Sequence, residues 1–110
     1  MSDWVNRKCG ACSGFSDKIS SPDAKAYLNS MPKWILSDDE LSIFRSFEFK
    51  NFKQTMFFIN AIAFLCEKEG HHPDVKFGYN YCHVSLTTHE LQGLSDNDFI
   101  IASKIDQLLL

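Results

Sequence analysis

The sequence predicts an α+β domain, a four-stranded antiparallel sheet with three helices packed on one face, in the order α-β-β-α-β-β-α. Two stretches whose apolar residues alternate with period two each contain a turn signal, so each predicts a β-hairpin. A long apolar helix lies between the hairpins, and capping patterns mark one helix before the first hairpin and another after the second. Hairpins separated by a helix favour an antiparallel sheet that is covered on one face.

The composition predicts one domain inside the cell. The chain has 110 residues, 45% of them hydrophobic, which is enough for one core. Residues 1–20 predict an irregular N-terminal arm, and residues 21–110 the domain. A net charge of −3 with scattered basic residues disfavours direct nucleic-acid binding. The longest apolar run is too short to span a bilayer and no signal-peptide layout is present, so we expect a cytoplasmic protein without a membrane part.

The first helix and hairpin follow the arm. Ser21 supplies a capping residue, and the proline and aspartate after it suit a first helical turn, so we expect a helix to about Ser30. Residues 34–36 predict a brief strand, an acidic turn follows, and residues 41–49 alternate with period two. These two strands form the first predicted hairpin.

The central helix is the longest predicted element. Asn51 and Gln54 resemble a capping box, and the helix should continue to about Glu69 and close at Gly70. Its segment Met56–Cys66 is apolar almost all round, which is more than one sheet face covers. We therefore expect the second apolar face to meet another copy of the chain in a homo-oligomer, a dimer or a tetramer. Coverage by the terminal helix alone is the alternative.

The second hairpin and the last helix complete the domain. Residues 75–79 and 82–88 predict two strands, with residues 80–81 in a tight turn that the asparagine there favours. Ser95 followed by Asp98 forms another capping pattern, which predicts the start of the last helix.

Two adjacent histidines, His71 and His72, lie between the central helix and the second hairpin. Because His72 precedes a proline, its backbone is pushed toward extended conformations, and the pair lies at a helix-to-strand corner. Such a corner lets both side chains line one pocket, whereas neighbouring residues of a strand point to opposite faces. A hairpin returns the end of its second strand to the start of its first, so we expect His89 near the pair and His83 at the far end.

Acidic side chains accompany these histidines. Glu67 and Glu69 occupy the last turn of the central helix, where the helix dipole disfavours carboxylates, so a role in holding an imidazole would explain them. The alternative is that both glutamates are simply exposed residues of the last helical turn, where glutamates are common, and this applies above all to Glu69. Asp98 either serves only the cap of the last helix or also orients His89.

Three imidazoles around one pocket suit a reaction that needs both an acid and a base near neutral pH. Zinc enzymes place two histidines at i and i+4 on a helix, unlike this adjacent pair, so the sequence predicts no metal there. Cys9 and Cys12 form only half of a zinc site. We expect a structural or incidental role for these two cysteines and reduced thiols throughout the chain.

The stretch from Glu67 to Asp98, EKEGHHPDVKFGYNYCHVSLTTHELQGLSDND, resembles the signature region of the pterin-4a-carbinolamine dehydratases, also described as dimerisation cofactors of a homeodomain transcription factor. The similarity extends over about residues 31–108. It implies a lyase, without a cofactor, that removes water from 4a-hydroxytetrahydrobiopterin to give quinonoid dihydropterin in tetrahydrobiopterin recycling. The family forms dimers or tetramers. The alternative is a non-enzymatic dimerisation or binding module for a helical partner such as a transcription factor.

The resemblance also implies roles for particular residues. Its catalytic histidines and supporting acids fall on His71, His72, His89, Glu67 and Asp98. Its pterin contacts fall on His71, His72, Pro73, Thr88, His89, Glu90 and Leu91. Val75 departs from the family pattern, which commonly has an aromatic residue at this position, so we expect a weaker stacking or packing contact at the pocket rim.

Overall fold

The computed structural model describes residues 4–10 and 18–109, and it confirms the predicted α+β class and element order. Within these residues, the helices and strands follow one another as α1 (Ser21–Leu28), β1 (Ile35–Leu36), β2 (Ile43–Glu48), α2 (Phe52–Glu69), β3 (Asp74–Phe77), β4 (Tyr81–Leu86) and α3 (Asp96–Gln107). Single 3₁₀ turns form at Trp4–Asn6 and His89–Leu91. No helix in the described ranges has the length and apolarity needed to cross a membrane.

The strands form one antiparallel sheet in the order β1-β2-β4-β3. The central pair, β2 and β4, runs from Ile43 opposite Leu86 to Glu48 opposite Tyr81. Alternate side chains of these two strands face the helices and are buried, as the period-two pattern predicts. Together with α3 they supply much of the core, which includes Ile43, Phe47, Val84, Leu86, Phe99 and Ile101.

Side-chain caps fix where the helices begin and end. For α2, the Asn51 side chain accepts a hydrogen bond from the Gln54 N–H at 2.9 Å, and Gly70 closes the helix with a φ of 74°, so both predicted ends are confirmed. For α1, the predicted cap is wrong by one residue. Ser20, not Ser21, is the cap, because its hydroxyl oxygen is the one that accepts from a backbone N–H of the first turn.

The turn of the second hairpin lies one residue earlier than predicted. It passes through residues 79–80, and the Gly78 N–H donates to the Tyr81 carbonyl at 3.1 Å. Tyr81 is therefore the first residue of β4 rather than part of the turn. The reason is its pairing with Glu48 of β2, which extends the ladder of the central strands by one residue.

The central helix presents two apolar sides. One carries Phe58, Ile62 and Cys66, which are buried in the core. The other carries Phe57 and Phe64, which lie about two turns apart, and Phe64 keeps 75% of its surface exposed. Within the residues that the structure describes, the terminal helix α3 therefore leaves this side of α2 uncovered.

The described part of the arm packs onto the domain, which the sequence did not indicate. Trp4 is buried, and its ring centroid lies 5.0 Å from that of Tyr27 and 5.7 Å from that of Phe99. Further along the arm, the Cys9 N–H donates to Glu69 at 2.9 Å. This part of the arm thus contributes to the core, while the boundary drawn at residue 20 stays a prediction.

Candidate functional site

The candidate site lies where the end of α2, the β3–β4 hairpin and the start of α3 meet. Asp74 at the start of β3 pairs with Ser85 near the end of β4, so the chain before β3 and the chain after β4 lie at the same end of the hairpin. Gly70 turns the chain out of α2, and the next N–H, that of His71, still donates to the Cys66 carbonyl at 3.2 Å. The helix cap thus forms the corner predicted for the histidine pair.

His71 is buried against a buried carboxylate. Its Nε2 lies 2.6 Å from Oδ1 of Asp98, whose side chain is 0% exposed. Asp98 occupies the first turn of α3, where the helix dipole favours a negative charge. Because an ionised carboxylate only accepts hydrogen bonds, Nε2 of His71 carries the proton and Nδ1 is the ring nitrogen left for other contacts.

The second oxygen of Asp98 has two further donors. Oδ2 lies 2.9 Å from the Thr88 hydroxyl and 3.0 Å from the backbone nitrogen of Ser95. The bond from Ser95 is the one that the capping pattern predicts. The hydroxyls of Thr88 and Ser95 are both buried and lie 2.7 Å apart. Within the described residues, every buried side-chain nitrogen and oxygen has a hydrogen-bond partner.

His72 forms a second, exposed pair with a carboxylate. Its Nε2 lies 3.0 Å from Oε1 of Glu67, and the two side chains are 63% and 82% exposed. Water and salt screen such a pair, so Glu67 holds its imidazole less firmly than Asp98 holds His71. Of the two neighbouring imidazoles, that of His71 is therefore held in one orientation by a buried partner, and that of His72 can change its orientation in solvent.

The other two histidines lie in different surroundings. His89 opens a 3₁₀ turn instead of ending a strand, and the preceding residue, Thr88, ties that turn to Asp98. The ring of His89 is exposed and has no hydrogen-bond partner in the described part of the chain. His83 lies on the outer face of the sheet, where its Nδ1 is 2.7 Å from the Ser46 hydroxyl beside an open groove of about 670 Å³.

One expectation for the site is corrected by these contacts. Asp98 orients His71 and not His89, because its Oδ1 meets the His71 ring, while its Oδ2 meets the 3₁₀ turn through the Thr88 hydroxyl and not through the His89 ring. The side chains of Thr88 and Leu91 are buried, and the pterin contacts expected of these two residues stay a prediction.

The structure also corrects the alternative that Glu69 is simply an exposed glutamate of the last helical turn, because its side chain is mostly buried. Its Oε2 lies 3.1 Å from Nζ of Lys104, and its Oε1 accepts the hydrogen bond from the Cys9 N–H. The bond from Cys9 and the charge of Lys104 hold the pKa of Glu69 below its usual value, although burial acts in the opposite direction. Cys9 lies in the arm, so no pattern near Glu69 indicates this partner.

Sequence reasoning missed the part that the hydroxyls of Thr88 and Ser95 play. Ser95 is predicted only as a helix cap, and Thr88 only as a pterin contact. The capping pattern itself could have indicated further partners. The helix cap uses one oxygen of the Asp98 carboxylate, so the other oxygen needs a donor from elsewhere. Among the described residues, no group of three or more His, Cys, Asp and Glu side chains is arranged to hold a metal ion. Cys12 lies outside these residues.

Comparisons with known proteins identify the family of the chain. The family model described as pterin 4 alpha carbinolamine dehydratase matches residues 17–108. A Legionella pneumophila (strain Lens) protein, provisionally named pterin-4-alpha-carbinolamine dehydratase, is 47% identical over 99% of this chain and 97% of its own length. A Nitrosomonas eutropha protein with the same provisional name is 45% identical over 98% of this chain and 95% of its own.

Two solved structures are also similar. The crystal structure of a transcriptional coactivator/pterin dehydratase from Brucella melitensis has a TM-score of 0.79 and 30% identity, and covers 83% of this chain and 97% of its own. A pterin dehydratase-like protein identified as a RuBisCO assembly factor in the alpha-carboxysome has a TM-score of 0.61 and 28% identity, and covers 69% of this chain and 88% of its own. On the family match and these identities, the chain belongs to the pterin 4 alpha carbinolamine dehydratase family.

Proposed function

We propose that the protein is a 4a-hydroxytetrahydrobiopterin dehydratase, a hydro-lyase of the cytoplasm that forms quinonoid dihydropterin in tetrahydrobiopterin recycling. The observation that carries the proposal is the adjacent pair of imidazoles with different partners, His71 on the buried Asp98 and His72 on the exposed Glu67. Membership of the family, together with the names of the relatives, supports the substrate class.

The reaction moves two protons. The bond between C4a and its hydroxyl oxygen breaks, and the departing hydroxyl takes up a proton to become water. N5 loses its hydrogen, and the electron pair left on N5 forms the C4a=N5 double bond of the quinonoid product. Histidine gives or takes a proton near neutral pH, so neighbouring imidazoles can serve both atoms.

In this proposal His71 and His72 supply the acid, while His89 positions the pterin and shares the proton transfer. The C-terminal end of α2, which carries a partial negative charge, lies directly before the pair. Pro73 and Glu90, which border the histidines along the chain, complete the proposed pterin contacts.

The test is the turnover of 4a-hydroxytetrahydropterin, followed by the appearance of the quinonoid product. General acid or base assistance contributes about 10²–10⁴-fold, so His72→Ala should lower kcat within that range. Circular dichroism should show that this variant stays folded. His83→Ala is the matched control, because His83 is another exposed histidine that lies on the outer face of the sheet, and it should keep the wild-type kcat.

Two results would count against the proposal, and they differ in meaning. A wild-type kcat in His72→Ala would refute the role assigned to that residue. A wild-type chain that leaves 4a-hydroxytetrahydropterin to dehydrate at its uncatalysed rate would refute the function itself.

A homo-oligomer, a dimer or a tetramer, is part of this proposal. The exposed side of α2 carries the apolar rings of Phe57 and Phe64, and a second copy can cover them with the same surface in a symmetric contact. Phe64→Glu should therefore lower the mass measured by sedimentation velocity. Gln107→Glu, which adds the same charge at an exposed position of α3, should leave it unchanged. A monomeric wild-type chain would contradict this part of the proposal.

The second candidate is a binding module for a helical partner. It is favoured by the same exposed side of α2, because an amphipathic helix can pack against Phe57 and Phe64. The Brucella melitensis relative is described as a transcriptional coactivator, and the carboxysome relative as an assembly factor. A chain without turnover that forms a complex of defined mass with a helical partner would favour this candidate over the enzyme.

A further inference from the structure

Buried polar side chains are concentrated at one place in this fold. Six polar or charged residues are buried in the described part of the chain, and all except Thr55 lie in or against the first turn of α3: His71, Thr88, Ser95, Asn97 and Asp98. Burial of such groups costs free energy unless each of them is hydrogen-bonded. Their accumulation beside His71 points to a role beyond packing.

The hydrogen bonds around Asp98 have a defined direction. An ionised carboxylate only accepts, so the Thr88 hydroxyl donates its hydrogen to Oδ2 at 2.9 Å. The Thr88 oxygen is then free to accept, and the Ser95 hydroxyl, 2.7 Å away, donates to it. The chain of donors runs from Ser95 through Thr88 to Asp98, and it continues on the other oxygen with His71 as donor.

We infer that Thr88 is a positioning residue for His71, a role whose catalytic consequence rests on the proposed function. The terminal torsion of an aspartate is broad, so one bond from the Ser95 N–H leaves the carboxylate free to rotate about that oxygen. The second donor, Thr88, fixes the carboxylate plane and keeps Oδ1 directed at Nε2 of His71. The ring is thereby held with one proton on Nε2, and Nδ1 is the nitrogen that carries the second proton, the one given to the substrate, when the ring is protonated.

Thr88 does not act by touching the pterin. Its side chain is part of a residue that is 1% exposed, and its hydroxyl already donates to Asp98 and accepts from Ser95. Its backbone has a separate task, because the Thr88 N–H donates to the Gly93 carbonyl at 2.8 Å and so closes the turn that carries His89. A change that removes only the hydroxyl leaves this backbone bridge in place.

The test compares two replacements of Thr88. Thr88→Val keeps the shape and removes the donor, and loss of such an outer partner typically costs about 10–100-fold in activity, so kcat should fall by about tenfold or more with KM unchanged. Thr88→Ser keeps the hydroxyl and should recover most of the wild-type kcat. The matched control is Thr87→Val, because the Thr87 hydroxyl bonds to the carbonyls of Leu41 and Gly93 and not to Asp98. Its loss leaves the Thr88 N–H bridge to Gly93 and the Thr88–Asp98 bond in place and should leave kcat unchanged.

A second measurement does not depend on turnover. Long-range ¹H–¹⁵N spectra of the imidazole should show the Nε2–H form of His71 in the wild type, in Thr88→Ser and in Thr87→Val, and a mixture of forms in Thr88→Val. A wild-type chain that lacks turnover but gives this pattern would refute the proposed function and still support the positioning role.

Three outcomes would overturn the inference. One is an unchanged His71 tautomer in a folded Thr88→Val, and another is an equal loss of kcat in Thr88→Val and Thr88→Ser, which would make the role steric. If Thr88→Val does not fold, Thr88→Ala takes its place, since it also removes the hydroxyl that donates to Asp98 and keeps the backbone bridge to Gly93. An unchanged tautomer and kcat in Thr88→Ala is the third.

Discussion

Oδ1 of Asp98 lies 2.6 Å from Nε2 of His71, and this contact joins the first turn of α3 to the corner after α2. Both residues are buried, and the remaining oxygen of the carboxylate is occupied by two other donors. A buried pair of this kind has no water to replace a missing partner. The neighbouring pair of His72 and Glu67 is exposed, so water can replace either member.

Neutralising the two carboxylates should therefore have unequal effects. Asp98→Asn keeps the shape but brings an NH₂ group against donors, so we expect kcat to fall by about 10²-fold. Glu67→Gln removes an exposed partner whose coupling is worth about 0.2–1 kcal/mol, so kcat should change by no more than about fivefold. Steady-state turnover of both variants at one pH decides the matter. Equal losses in the two would show that burial does not distinguish the pairs.

Local patterns in the sequence predicted the frame of the site. Gly70 as a helix end and Ser95 with Asp98 as a helix start each depend on residues within a few positions, and the structure confirms both. In the second hairpin, Asp74 lies opposite Ser85. This pairing brings the chain around His89 to the same end of the hairpin as the histidine pair, as the sequence predicts. These features need no knowledge of how the helices lie on the sheet.

Contacts between distant segments could not be predicted in the same way. Which histidine Asp98 meets depends on where the first turn of α3 lies relative to α2, and no local pattern encodes that position. The partner of Glu69 is a stronger case, because Cys9 lies 60 positions away in the arm and contributes only a backbone N–H. A backbone donor has no residue preference, so the sequence carries no signal for it.

The arm should contribute to the stability of the domain through Trp4. Its ring packs against those of Tyr27 and Phe99, and truncation of a buried aromatic side chain typically costs 3–5 kcal/mol. We expect Trp4→Ala to lower the free energy of unfolding by about 3 kcal/mol, measured by urea denaturation. Lys8→Ala, at an exposed position of the same arm, should change it by less than about 0.5 kcal/mol. Equal values for Trp4→Ala and the wild type would mean that the arm does not pack in solution.

Glu69 should make the domain sensitive to acid. The hydrogen bond from Cys9 and the charge of Lys104 lower the pKa of Glu69 in the folded state below 4.5, the ordinary value for a glutamate. A lowered pKa stabilises the fold above the unfolded-state value, and this stabilisation is lost as the pH falls through the folded-state value. Glu69→Gln should therefore be less stable than the wild type at pH 7 by on the order of 1 kcal/mol.

The matching measurement is the melting temperature of both proteins between pH 7 and pH 3. The gap between the wild type and Glu69→Gln should be constant above about pH 5 and should narrow below it. Glu40 also has a lowered pKa, but it is present in both proteins and cancels in the comparison. A gap that stays constant down to pH 3 would contradict the assignment to Glu69.

Three cysteines should be almost unreactive while the protein is folded. Burial is the main cause that raises the pKa of Cys9 and of Cys66 to about 12, with the charge of Glu69 adding to it, and burial raises that of Cys82 to about 11. At pH 8 a thiol with a pKa near 12 is ionised to on the order of 10⁻⁴, and the thiolate is the reactive form. In a Cys12→Ser background, which leaves only these three, we expect no reaction with an aromatic disulfide reagent until the chain unfolds.

The same reagent in denaturant supplies the control for this experiment. All three thiols of the Cys12→Ser chain should then react at once, because burial no longer raises their pKa. Under native conditions the rate should follow the rate of unfolding and should not rise with reagent concentration once the reagent is in excess. Rapid labelling of one thiol per chain at pH 8 would place Cys9 in contact with solvent, since it is the least buried of the three, and would contradict the packing of the arm against α3.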